Sequence, residues 1–346
     1  MRLSFVVAAA VLALPAHCLR VRVRPSLRRR LFAPEASGAD APLRVAPDPT
    51  PGSTTALNAV TEGPIPTYEK PAYEQPKQLS KFMRPVARLG VALFMIGAAG
   101  GMPLVVAPFY ILEKLRFISK VRRESWCLKA VCHWVRLLSP LAFNIRLTGR
   151  MPKDDDGLLV WSSNHVSNFD FFTILASASK MCRERSKWPR VIYWQGLESN
   201  PLFKLFGRSC GMVPVAMENT GSGNQNVYDA SSFRKMYTAG IGALNEGWDL
   251  AILPEGQLNP RPEEGLQQIY PGPHSFSKRA GAKLQLVGIW GTEHIWKAGT
   301  ASPAPTARDV HLHLWEPIAY ESPDAFVDGF TRRIEPFGLT GKVPPE

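Results

Sequence analysis

In the stretch WSSNHVSNFDFF, residues 161–172, His165 stands five positions before Asp170 with apolar runs on either side. Three uses fit that pair. Ser167 and Asp170 spell Ser-x-x-Asp ahead of an apolar run, the signature of a helix N-terminus whose acid reaches back to its own cap. A metal site asks for more: structural zinc takes four N/S ligands and catalytic zinc usually three, and nothing near this pair completes a set. The third use is chemical. An imidazole poised near neutral pH can take a hydroxyl proton, while a carboxylate on its other nitrogen fixes the tautomer and balances the cation that forms. Cap and base are compatible, because a helix opened by Ser167 puts Asp170 in its first turn and His165 in the loop just ahead.

Other stretches carry weaker signals. Pro254, Glu255 and Gly256 close the apolar run LAIL and by themselves read as an ordinary turn. Gly-x-Ser-x-Gly at residues 207–211 has the spacing of a hydrolase nucleophile elbow, which would make Ser209 the nucleophile of a lipase, with Asp249 and His294 downstream. That elbow needs a strand before it and a helix after it. Here NPLFKLF, with helical spacing, precedes and the strand-like MVPVAM comes after. The order is reversed. His311 and His313 alternate in VHLHLW and so face one side of a strand, with flanks that look like ordinary strand; no metal site is expected.

NHVSNFD resembles the Asn-His-x-x-x-x-Asp motif of the glycerolipid acyltransferases, the family of glycerol-3-phosphate and lysophosphatidic acid acyltransferases. The order of the downstream blocks agrees. GWDLAILPEGQLNP is similar to the family's Phe-Pro-Glu-Gly block and keeps Pro254, Glu255 and Gly256. CGMVPVAM, GAKLQLVGIW and HLHLWEPI stand where its second block, fourth block and closing strand belong, and HWVRLLSPLAFNIRLTGRMP looks like its beginning. The resemblance covers roughly residues 125 to 320. It implies a membrane-bound acyltransferase with His165 as base, Asp170 as its orienting acid, and Asn164, Pro254, Glu255 and Gly256 around the substrate. It implies no metal and no bound cofactor. The donor would be acyl-CoA or acyl carrier protein and the acceptor a lysoglycerolipid, with 1-acylglycerol-3-phosphate favoured.

The departures concern the acceptor. The family's phosphate-binding arginines are missing: Met217 stands at the end of the second block, and Gln257, Leu258 and Asn259 replace Thr-Arg-Ser after the third. Gly288 stands where the fourth carries a proline. Arg208, Arg261, Lys278 or Arg279 would have to supply the charge, or the acceptor is a lysophospholipid whose phosphate carries a headgroup. An inactive lipid-binding relative is the reading that the missing arginines favour and that His165, Asp170 and Glu255 oppose.

These residues need a scaffold. Beyond residue 125, helical SWCLKAVCHWVRLL and FDFFTILASASK alternate with strand-like FNIRLTGR, GLLVWSSNH, RVIYWQG, GMVPVAM, LAILPEG, AKLQLVGIWG and DVHLHLWEPI, with further helices at NPLFKLFGR and DASSFRKMYTAGIGALNEG. That alternation predicts an α/β fold, a largely parallel mixed sheet flanked by helices, as the acyltransferase domain over residues 125–346.

The front of the chain differs. Residues 1–18 have one Arg, an apolar stretch and small residues, which predicts a signal peptide. Residues 19–80 are Arg-rich and transit-peptide-like, then Pro-rich linker; with LFAP inside, the two together are similar to the bipartite plastid-targeting sequences of algae with complex plastids, with the endoplasmic reticulum as the alternative. Within residues 81–124, about 24 uncharged residues (89 to 112) suffice for a membrane span. Gly100, Gly101 and Pro103 at their centre equally suggest two short helices dipping into one leaflet.

The chain has 346 residues, 45% hydrophobic and 20% charged, with a formal net charge of +12. The basic excess clusters at Arg20, Arg22, Arg24, Arg28, Arg29 and Arg30, and again at Lys114, Arg116, Lys120, Arg122 and Arg123 just after the apolar run. That placement favours anionic lipid as partner. No nucleic-acid-binding motif accompanies it. Five cysteines at irregular spacing predict reduced, core-packing thiols.

Overall fold

The computed structural model describes residues 69–186, 188–218, 227–228 and 230–345. The expected signal peptide at 1–18 and the targeting segment that continues from it to residue 68 lie outside the described residues.

The chain enters α1 (Met83–Lys114), turns, and returns in α2 (Lys120–Leu138). Strand β1 (Asn144–Gly149) leads to β2 (Leu159–Ser163), α3 (Asp170–Met181), β3 (Arg190–Trp194), α4 (Pro201–Ser209) and β4 (Val213–Val215). A two-residue pair, β5 (Met217–Glu218) and β6 (Val227–Tyr228), precedes α5 (Ala230–Asn245) and β7 (Leu250–Ile252). Then come α6 (Gly272–Ala280), β8 (Lys283–Trp290), β9 (Asp309–Leu314) and α7 (Pro323–Thr340).

Seven strands form one sheet in the order β1-β9-β8-β2-β7-β3-β4. Strands β8, β2, β7, β3 and β4 run parallel, β9 turns antiparallel to β8, and β1 runs with β9. The α/β expectation holds, with a largely parallel mixed sheet. Alternation in the strands feeds two cores, as period-two side chains must. Leu159 and Trp161 of β2 pack with α1 to α4 on one face, and Val160 packs with α5, α6 and α7 on the other.

Helix α1 is a single helix, not two short ones. Gly97 and Gly101 do not break it; a Cβ at either would run into Leu138 or Trp134 of α2, and the Trp134 indole donates to the Gly97 carbonyl at 3.1 Å. Its prolines, Pro103 and Pro108, lie inside the helix without ending it. A hairpin does exist, but its second arm is α2, so the expected domain start at residue 125 cuts that arm in two. One face of α1 (Val91, Phe94, Ala98, Met102, Val106) lies in the core, while Leu89, Leu93 and Leu104 stay exposed. By length and composition α1 is able to cross a membrane.

The linker expectation also changes at its end. Residues 69–80 have no regular element but are tied to the domain: Glu74 N donates to Leu339 O and Leu79 N to Thr306 O, both at 2.7 Å. The four described cysteines are free and buried.

Candidate active site

The site forms where β2, β7 and β8 end side by side, the edge at which open α/β sheets gather ligands. Strand β2 stops at Ser163 because the next side chain takes over its pairing. Both amide atoms of Asn164 bond the backbone of Ile289 on β8, each at 2.8 Å. Asn164 is buried and its amide is committed to the sheet rather than turned to a ligand. The next residue is His165.

The loop closes on the start of α3. Ser167 Oγ accepts from Phe169 N at 2.9 Å, and Asp170 Oδ2 accepts from Ser167 N at 2.9 Å. These are the reciprocal bonds expected of Ser-x-x-Asp, but they close a turn ahead of the helix, which starts at Asp170 with Phe169 as its N-cap. The same Oδ2 accepts from Val166 N at 2.8 Å and faces His165 Nδ1 at 2.9 Å. Thr292 Oγ1 donates to the other oxygen, Oδ1. Surrounded by these donors, the carboxylate meets the imidazole as a hydrogen-bond acceptor. It therefore receives the Nδ1 proton, which leaves the Nε2 lone pair free. The His165 side chain keeps 25% of its exposure while that of Asp170 keeps 2%, so solvent or substrate meets the imidazole and not the acid.

Glu255 comes to this point from the end of β7. It is buried and its Oε1 accepts the backbone N–H of His165 at 2.8 Å; Oε2 accepts from Gln267 N at 3.1 Å. Burial pushes its carboxyl above the ordinary value, against these N–H donors. Gly256 turns the chain with φ +68°, a backbone that favours glycine, and the Pro254 carbonyl takes Tyr270 N at 2.9 Å. Asn259, one of the departures from the family motif, donates its backbone N–H to the His165 carbonyl at 2.7 Å. Its side chain bonds Gly265 O at 2.7 Å.

No protein-family model matches the chain and no curated protein matches it. Among solved structures, the crystal structure of the 1-acyl-sn-glycerophosphate (LPA) acyltransferase PlsC from Thermotoga maritima is similar, with a TM-score of 0.53 and 18% identity over 72% of this chain and 95% of that one. The chain has an acyltransferase-like fold. The likeness concerns the fold; the site residues rest on their own geometry.

The local structure does not form the hydrolase elbow: helix α4 precedes it and strand β4 follows. Ser209 is the last residue of α4, fully buried, with its Oγ 3.1 Å from the Tyr110 hydroxyl. Asp249 is paired with Arg185 and Trp161, and His294 with Tyr73 and Thr306, so no triad assembles. His311 and His313 both meet the Thr148 hydroxyl, at 2.8 and 2.9 Å. Among the described residues no group of three or more His, Cys, Asp or Glu is placed to hold a metal.

The candidate cations separate. Lys278 and Arg279 end α6 just before β8 begins, at the sheet edge opposite His165. Arg208 is exposed and paired with Glu198 at 3.1 Å. Arg261 is exposed and paired with Glu264 at 2.9 Å, but its backbone N–H donates to Asn259 Oδ1, which puts it two residues from the His165 clamp. Met217 lies in β5, paired with Tyr228.

Sequence reasoning did not single out Thr292, Gln267 or Tyr73. Thr292 and Tyr73 meet partners far along the chain and Gln267 acts through its backbone N–H, so none leaves a local periodicity. A cleft of about 420 Å³ opens between α2, β1 and α3, lined by Phe143, Ile145, Leu147 and Ala176 with Arg136 and Lys180. Phe143 packs edge-on against Phe169, the residue before Asp170, at 5.0 Å between ring centroids.

Proposed function

We propose that this protein is a membrane-bound glycerolipid acyltransferase that moves a fatty acyl group from acyl-CoA or acyl carrier protein to the free hydroxyl of a lysoglycerolipid. The observation that carries this is the His165–Asp170 pair, with Nδ1 on a buried acid and the imidazole itself partly exposed. The acceptor hydroxyl attacks the thioester carbonyl as its proton passes to His165 Nε2. Asp170 balances the imidazolium. When the tetrahedral intermediate collapses, the C–S bond breaks and the imidazolium proton leaves with the thiolate. A thioester is already activated, so no covalent enzyme intermediate is required. Glu255 and Asn259 hold the His165 backbone, Asn164 ties the preceding residue to β8, and Gly256 allows the chain to turn beside it.

The acceptor we favour is 1-acylglycerol-3-phosphate, with Arg261 as the cation for its phosphate. An exposed pair such as Arg261–Glu264 is worth about 0–1 kcal/mol, so the arginine is easily released. A second reading, a lysophospholipid with a headgroup, is favoured by the absence of motif arginines and by the carboxylate already on each of Arg208 and Arg261. Labelled acyl donor and a panel of lysolipids decide between them. Diacyl product from lysophosphatidate, weakened in Arg261→Gln, supports the first; product from headgroup-bearing lysolipids alone supports the second. Free fatty acid without diacyl product refutes transfer.

The cleft beside Phe143 suits the hydrocarbon chain. Ile145→Trp should then shift the preferred donor toward shorter chains, and an unchanged profile across donor lengths would remove the cleft from the account. Exposed apolar residues on α1, with Lys114 at its end and Arg116 and Arg122 beyond it, support a seat on anionic bilayer. Plastid membrane is the location we favour over the endoplasmic reticulum. Fluorescence from a fusion of residues 1–80 found in the endoplasmic reticulum alone would refute it.

A further inference from the structure

The acid of the candidate pair is held from behind by a turn that belongs to another part of the chain. Residues 291–294 leave the end of β8. Thr292 is buried and its hydroxyl donates to Asp170 Oδ1, the oxygen that the imidazole does not use. The turn is fixed in its own right. Gly291 has φ +94°, and its N–H donates to Glu293 Oε2 at 3.1 Å.

Glu293 then meets a side chain from residues 69–80. The Tyr73 hydroxyl donates to Glu293 Oε1 at 2.6 Å and lies 2.8 Å from His294 Nε2. The Tyr73 and His294 rings stack, 6.2 Å between centroids and 14° between planes. His294 Nδ1 is 3.2 Å from the Thr306 hydroxyl. With Tyr73 donating to Glu293, the Tyr73 oxygen remains to accept from His294 Nε2, and the Thr306 hydroxyl lies between His294 Nδ1 and the His294 carbonyl. The segment that carries Tyr73 is anchored independently, because Trp290 Nε1 donates to Glu74 O at 3.1 Å and Lys342 pairs with Glu74 at 2.7 Å.

We propose that Thr292 and Tyr73 are positioning residues: Thr292 fixes the Asp170 carboxylate from its second oxygen, and Tyr73 locks, through Glu293 and His294, the turn that carries Thr292. This rests on reading His165 as the base. A carboxylate bonded at one oxygen still rotates about its last torsion; bonds on both oxygens fix its plane, and with it the imidazole. The Thr292 hydroxyl also shares the carboxylate charge. Without it, Asp170 attracts an imidazolium more strongly, so the protonated ring persists to higher pH. Among the described residues, the ionisable groups that interact with Asp170 are His165, Glu255 and Glu293.

The test uses the full chain in lipid vesicles with acyl-CoA and lysophosphatidate. Thr292→Val should lower kcat by about 10²-fold with KM little changed, and the acid limb of its pH profile should move to higher pH. Thr292→Ser should restore both. Tyr73→Phe should lower kcat by about tenfold with the limb moved in the same direction. If Thr292→Val does not fold, Thr292→Cys keeps most of the volume with a weaker donor and carries the same comparison. Wild-type kcat and an unmoved limb in the Val or Cys variant overturn the role of Thr292, and an unchanged Tyr73→Phe overturns that of Tyr73. The ring titration of His165, followed by NMR in the same variants, needs no turnover. If wild-type protein transfers no acyl group, the acyltransferase reading fails, while a moved ring titration still upholds the Thr292–Asp170–His165 link and an unmoved one removes it.

Discussion

Glu255 Oε1 accepts the backbone N–H of His165 at 2.8 Å across ninety residues of chain. The His165 carbonyl in turn accepts from Asn259 N at 2.7 Å. The loop after β7 therefore holds the candidate base by both sides of its peptide backbone, while Asp170 holds the ring. Glu255→Ala leaves the half-buried N–H groups of His165 and Gln267 without this acceptor, each costing up to about 1 kcal/mol. It should lower the melting temperature and reduce kcat by about 10²-fold as the imidazole loses its place. Kinetics and thermal melts on the purified variant check this, and an unchanged kcat would show that the clamp does not matter.

Glu293 gives a pH dependence with a definite sign. Burial lifts its carboxyl from 4.5 to about 7. Between those values the folded protein keeps a proton that the unfolded chain has lost. The contribution to stability is thus complete below pH 4.5 and is lost as pH rises through about 7. Glu293→Gln cannot titrate. The melting temperature of the wild type should fall relative to that variant across this window, and a difference that does not vary with pH would contradict the assignment.

The outward face of α1 predicts where the protein sits. Leu104 is 77% exposed on a helix whose other face is packed. Leu104→Glu should reduce recovery with anionic vesicles while leaving the fold intact by circular dichroism. Equal recovery of both proteins would mean that this face does not meet lipid.

Much of the site was legible because its central contact is local. The Ser-x-x-Asp motif and the histidine just ahead place acid and imidazole together within one turn, whichever fold surrounds them. Glu255 was legible through the order of motifs, though not its contact with the His165 backbone, which spans ninety positions. The centre of α1 read as a break because glycine and proline usually punctuate helices, yet Gly101 faces the Trp134 ring, where only a missing side chain fits. Helix α7 buries Phe326, Phe330, Ile334 and Phe337 at helical spacing, a stripe visible in the sequence but interrupted to the eye by Pro336. Thr292 and Tyr73 carried no such sign. Their partners lie 122 and 220 positions away, and only the folded chain brings them together.

The central claim is that His165 Nε2 takes the acceptor's proton. The most direct measurement is the initial rate of diacyl product from labelled acyl donor and lysolipid, for wild type and His165→Ala at matched folding and vesicle binding. Removal of the base should lower kcat by at least about 10²-fold, within the 10²–10⁴-fold that general-base catalysis supplies, with vesicle binding unchanged. Product formed by His165→Ala at the wild-type rate would contradict the account.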